Sequence, residues 1–115
     1  MVDRARFVEL VGEALDSLPE WVHERLVNVE VIVEDRPPRD DPNLLGRYHG
    51  IPLTRRSEFH SGAVLPDTIT LYRSTIQRHA RDEDELRSTI AHTVEHEVAH
   101  FFGISDDRLR EIDRY

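Results

Sequence analysis

Apolar residues recur at three- and four-residue spacing near the N-terminus, in the stretch DRARFVELVGEALDSL. Phe7, Leu10, Val11, Ala14 and Leu18 fall on one face, so a helix is predicted there, with Asp3 able to cap it. Pro19 suits the first turn of a second, short helix over PEWVHERL, and Phe7 and Trp21 both fall on helical faces expected to be core. The period then changes to two. Val29, Val31 and Val33 alternate with Glu30, Ile32 and Glu34, which predicts a strand ended by Pro37 and Pro38. DRPPRDDPNLLG reads as a turn-rich surface loop. GRYHGIPLT reads as a short strand broken or bulged near Gly50 and Pro52, and RRSEFHSGAVLP as another loop. LPDTITLYRSTI returns to a period of two, with Ile69 and Leu71 on one face and Thr68, Thr70 and Tyr72 on the other.

The strongest helical pattern is RDEDELRSTIAHTVEHEVAHFFG. Asp82 or Asp84 can cap it, acids crowd its first turn, and Gly103 stands where a helix stops. SDDRLREIDRY predicts a final short helix. Helices at both ends around a few strands give an α+β layer rather than regular βαβ repeats.

The long helix also carries the candidate chemistry. Leu86, Ile90, Val94, Val98 and Phe101 cluster on one side; His92, His96 and His100 cluster nearly opposite. His96-Glu97-Val98-Ala99-His100 is an HExxH motif. A helix turns about 100° per residue, so two imidazoles four positions apart share a face and can hold one zinc ion. Glu97 lies beside that face and can serve as general base toward a water on the metal. His92 is poorly placed to complete the set, because it stands about 12 Å from His100 along the helix axis; it is expected as a supporting group, a cleft residue or a satisfied surface histidine. A third ligand must then come from downstream carboxylates: Asp106, Asp107, Glu111 or Asp113. Gly103 permits a left-handed turn that swings the chain back, which favours Asp106, with Glu111 as the alternative. Asp106 and Ser105 are also both suited to capping the last helix.

Composition narrows the chemistry further. The chain has 115 residues, which suggests a single domain over 1–115. It has no cysteine, so disulfides and thiolate metal sites are excluded and a metal must use His and carboxylates. All fifteen basic residues are Arg, which excludes lysine chemistry such as a Schiff base. A net charge of −8 argues against a nucleic-acid groove. No apolar run is long enough for a membrane span, and the charged, amphipathic N-terminus does not fit a secretory signal, so a cytoplasmic protein is expected. Tyr48, His49, His60 and Tyr72 are candidate donors to a developing oxyanion, His60 foremost, although each also has a structural reading. Arg55 and Arg56 suit an acidic substrate or merely solvate a loop.

His96, Glu97, His100, Gly103 and Asp106 together read HExxHxxGxxD, which resembles the metzincin form of the zincin metallopeptidases with Asp as third ligand. LPDTITLYRSTI followed by HTVEHEVAHFFGISDDRL is similar to a family of small bacterial zincin-like metallopeptidases. The resemblance implies a minimal zincin fold, a small mixed sheet packed on the HExxH helix with additional short helices. It implies zinc bound by His96, His100 and Asp106, Glu97 as catalytic base, and a peptide or protein substrate. Metzincins also carry a methionine turn after the third ligand, whereas the single Met here is Met1. The alternative is therefore a zinc-binding protein that is not catalytic, or one whose cleft a protein partner completes.

Overall fold

The computed structural model describes residues 1–58 and 65–112, with the side chains of 56–58 left undescribed. Helix α1 spans Arg4–Asp16 and starts where Asp3 accepts from the Arg6 backbone N–H at 2.8 Å. Helix α2 is Glu20–Arg25, with Pro19 just ahead of it. Strand β1 is Val29–Glu34 and β2 is Gly46–His49. A 3-10 segment follows at Leu53–Glu58. Strand β3 is Asp67–Tyr72, leading directly into helix α3, Arg73–Arg78. The long helix α4 is Glu83–Phe101, and α5 is Asp106–Glu111. Among the described residues no helix is long and apolar enough to cross a membrane.

The sheet order is β1-β3-β2, and the sheet is mixed. β1 runs parallel to β3 from Val29↔Asp67 to Glu34↔Tyr72. β2 runs antiparallel to β3, from Gly46↔Leu71 to His49↔Thr68. β3 is therefore the central strand, and its inward side chains Ile69 and Leu71 are 1% and 0% exposed. The predicted apolar faces of α1 and α4 meet over this sheet. Phe7, Leu10 and Val11 of α1 pack with Leu86, Ile90 and Val94 of α4 in one buried cluster. Burial of each such side chain contributes about 1.5–3 kcal/mol, so the face of α4 opposite the histidines anchors the helix.

Two expectations fail. The strand predicted through Ile76 stops at Tyr72, and Arg73–Arg78 coils into α3. β1 ends at Glu34, so β3 has no partner to continue along; the Ser74 N–H instead meets the Asp35 carbonyl at 2.9 Å. Helical spacing then buries Thr75 and Ile76 together. Trp21, expected in the core, is 56% exposed and lies tilted against Phe102 with ring centroids 5.6 Å apart. On so short a helix only Val22 reaches the core.

β2 breaks at Gly50, as the sequence predicts. Gly50 has φ +155°, and a Cβ there would strike the Asp67 side chain. Asp67 is itself buried and accepts a hydrogen bond from the Tyr48 hydroxyl at 2.6 Å.

Candidate metal centre

α4 is capped by the Asp82 carboxylate, which accepts from the Glu85 N–H at 2.8 Å, and Glu83, Asp84 and Glu85 fill its first turn. Negative charge at a helix start opposes the macrodipole favourably. The helix ends in a Schellman motif. The Gly103 N–H bonds to the His100 carbonyl at 2.9 Å, the Ile104 N–H reaches back to Ala99 at 3.0 Å, and Gly103 has φ +88°. A Cβ on residue 103 would also strike Thr54. The reversal places the Ile104 carbonyl 2.8 Å from His100 Nδ1. A carbonyl only accepts, so Nδ1 carries the proton and Nε2 is left with its lone pair free for a ligand.

Ser105 then caps α5 by accepting from the Arg108 N–H at 3.2 Å. Asp106 is thereby relieved of capping and turns back towards α4. Its Oδ1 lies 3.2 Å from His96 Nε2 and 2.9 Å from His100 Nε2. The two imidazoles stand edge to face with Nε2 atoms 3.1 Å apart. These three atoms are all within 4.8 Å of one another.

Ligand bonds of about 2.0–2.2 Å in a tetrahedral zinc site put neighbouring donor atoms roughly 3.3–3.5 Å apart. The observed triangle is only a few tenths of an ångström tighter, so the donor set fits the ion. His96 is held below the usual histidine range by burial and by the His100 charge, partly offset by Asp106. Both histidines are thus suited to offering lone pairs, and with a carboxylate they form an N,N,O set that a cation would stabilise.

Glu97 is 5% exposed, and its carboxylate is 4.0 Å from His96 Nε2. Burial pushes its carboxyl up to about 7, against the opposing pull of His100 and a hydrogen bond from the Tyr48 backbone N–H. A divalent cation among the three donors would draw it back down. The Tyr48 bond depends on a close approach of β2 to α4. A Cβ on Gly46 would lie 2.8 Å from Thr93 Cγ2 and 3.3 Å from Glu97 Cγ. Only glycine lets the strand lie there. The sequence offered one faint signal of this, a glycine opening a four-residue strand.

A cleft of about 550 Å3 opens over these groups. One wall is His92, Thr93 and His96 on α4; the other is Leu44, Leu45 and Gly46 at the entry to β2. β2 is an edge strand. The Tyr72 N–H meets the Leu45 carbonyl, so by alternation Arg47 and His49 bond towards β3 while Gly46 and Tyr48 face the open edge.

The other candidates sit elsewhere. Glu111 is exposed and accepts from Arg108 at 2.9 Å, apart from the three converging atoms. Asp107 faces Arg110 at 3.4 Å. His92 borders the cleft with its ring centroid 6.4 Å from that of His96, outside the converging set. The Tyr48 hydroxyl is engaged by Asp67, Tyr72 is buried with its phenol raised by that burial, and His49 and Arg55 are exposed. His60 and Asp113, and the Arg56 side chain, lie outside the described residues.

A long helix that offers two histidines and a buried glutamate beside a sheet edge, met by a carboxylate returned through a glycine turn, defines a zincin-type fold. A family described as zincin-like metallopeptidases matches residues 26–115. The chain belongs to this zincin-like metallopeptidase family. Among solved structures it is similar to a conserved hypothetical protein from Thermus thermophilus, with 27% identity and a TM-score of 0.62. That similarity covers 88% of this chain and 94% of the other. No curated protein matches the chain.

Proposed function

We propose that the protein is a zinc-dependent peptidase that cleaves an extended peptide laid along β2. One observation carries this reading: His96 Nε2, His100 Nε2 and Asp106 Oδ1 converge beside the buried Glu97 carboxylate at the floor of an open cleft. Three protein ligands leave a coordination position for chemistry, whereas purely structural zinc sites are closed by four.

His96, His100 and Asp106 would hold the zinc ion, which would supply Lewis acidity towards the scissile carbonyl and lower the pKa of water towards roughly 7. Glu97 accepts the proton given up by the attacking water and passes it to the departing amine nitrogen. Its burial near His96 and the Tyr48 N–H hold the carboxylate in place for both transfers. The outward backbone groups of Gly46 and the outward carbonyl of Tyr48 offer pairing to an extended substrate, while the Tyr48 N–H stays with Glu97, and His92 borders the substrate's path. The natural partner is then a peptide or protein substrate, in a cytoplasmic setting that suits a cysteine-free chain.

The Asp106 side chain is 49% exposed, which supports a second reading: a zinc protein whose cleft is completed by a protein partner. One experiment separates the two. Zinc-loaded wild type and Glu97→Gln are assayed on a quenched-fluorescence peptide library, with zinc content measured in parallel. Turnover in wild type that vanishes in Glu97→Gln, with zinc retained, is the expected result. Equal activity in both rules out Glu97 as base, and zinc-loaded wild type without turnover favours the second reading.

A further inference from the structure

A second recess borders the same loop that walls the cleft. It has a volume of about 510 Å3 and is lined by Arg36 and Arg39 from the loop and by Ser74 and Arg78 from α3. The protein has 23 acidic residues against 15 arginines, so an arginine finds a carboxylate easily. Arg4, Arg6, Arg73, Arg81, Arg87 and Arg108 all do so. Arg36, Arg39 and Arg78 form no ion pair among the described residues. Asp35, beside Arg36, is already committed to Arg4 and Arg73, and Asp40 and Asp41, which follow Arg39, form no ion pair among the described residues.

The frame around the three guanidinium groups is stiff. Pro37, Pro38 and Pro42 restrict the loop, and turns close from Asp41 N–H to Pro38 and from Leu44 N–H to Asp41. Arg78 Nη2 donates to the Pro42 carbonyl at 3.2 Å, which fixes one guanidinium against the loop while leaving its other N–H groups for a ligand.

We infer that this recess is an anion site for a phosphoryl group, carried as free phosphate or as a monoester on a small molecule. Three arginines and a hydroxyl lining one recess supply the positive charge and the forked donors that suit a phosphoryl dianion better than a single carboxylate. The site has a consequence for the cleft. Arg36 and Arg39 ride on the loop and Arg78 on α3, so a bound phosphate ties the two together. The same loop continues through Leu44 and Leu45 into the cleft wall, so the occupant stiffens that wall.

The test is calorimetric titration at low ionic strength with inorganic phosphate, phenyl phosphate and malonate. It compares wild type, Arg36→Gln/Arg39→Gln/Arg78→Gln, and Arg25→Gln/Arg81→Gln as a control that removes charge on other surfaces. One phosphate per chain is expected, weakened tenfold or more in the recess variant and unchanged in the control. Zinc content must be equal throughout, which assigns the loss to the recess rather than to the metal centre. Tighter phenyl phosphate identifies a small phosphorylated molecule; tighter phosphate identifies the ion itself. In wild type, amide shifts centred on Arg39 and Ser74 on adding phosphate give an answer independent of the variants. Absence of binding, equal weakening in both variants, equally tight malonate, or amide shifts elsewhere overturns the inference.

Discussion

Replacing Gly46 by Ala tests how β2 and α4 position Glu97. The new Cβ would lie 2.8 Å from Thr93 Cγ2, 3.1 Å from the Thr70 carbonyl and 3.3 Å from Glu97 Cγ. Carbon atoms pack at about 3.5–4.0 Å, so Thr93 or the strand must yield by roughly 1 Å. Thr93 is 2% exposed and its hydroxyl donates to the Thr89 carbonyl at 2.7 Å, so it has little room to rotate. The Thr70 carbonyl belongs to the central strand and is equally fixed. The strain falls on β2. Overpacking of this kind costs about 1–3 kcal/mol, which lowers the melting temperature by roughly 4–8 °C per kcal/mol in a domain of this size. A strand moved by about 1 Å also loosens the Tyr48 N–H from Glu97, and a misplacement of that size lowers turnover about a hundredfold. Thermal denaturation, zinc content and peptide turnover are measured on Gly46→Ala, Thr93→Ser and the double variant. Thr93→Ser deletes the methyl group that the new Cβ meets, so the double variant should recover part of the lost stability, with a coupling energy of about 0.5–3 kcal/mol. Wild-type stability and turnover in Gly46→Ala, or strict additivity in the double variant, would refute the placement of β2 against α4.

Elemental mass spectrometry after zinc loading should find about one zinc per chain, lost in His96→Ala/His100→Ala. Competition with a chromogenic chelator should show Asp106→Asn weakening zinc about tenfold or more while Glu111→Gln leaves it unchanged; the reverse order would make Glu111 the ligand. In metal-free protein, Glu97 with its carboxyl raised to about 7 favours the folded state below the ordinary carboxylate range and loses that contribution as pH rises through 7. Urea denaturation from pH 4 to 8 should therefore show wild type losing stability relative to Glu97→Gln by up to about 3 kcal/mol across that window; parallel curves would mean that Glu97 is not buried as described. Zinc loading should flatten the difference, because the cation favours the charged carboxylate.

The parts of the protein legible in its sequence are those set within a few residues. Spacing alone places His96 and His100 on one face of α4 and the apolar residues opposite, because a helix repeats every 3.6 residues whatever surrounds it. The Asp82 cap, the Gly103 reversal and the return of Asp106 are local hydrogen-bond and backbone preferences, readable for the same reason. What waited for the tertiary structure depends on residues far apart in the chain. A period of two cannot tell where β3 runs out of a partner, so the sequence extends the strand into α3. An apolar ring on a helix does not reveal what covers it, so Trp21 reads as core until the fold exposes it. Gly46 acquires its meaning from Thr93 and Glu97, and the three arginines of the recess from the docking of a loop on α3. Short-range geometry repeats along the backbone and leaves a pattern in the sequence; contacts closed by packing leave none until the chain has folded.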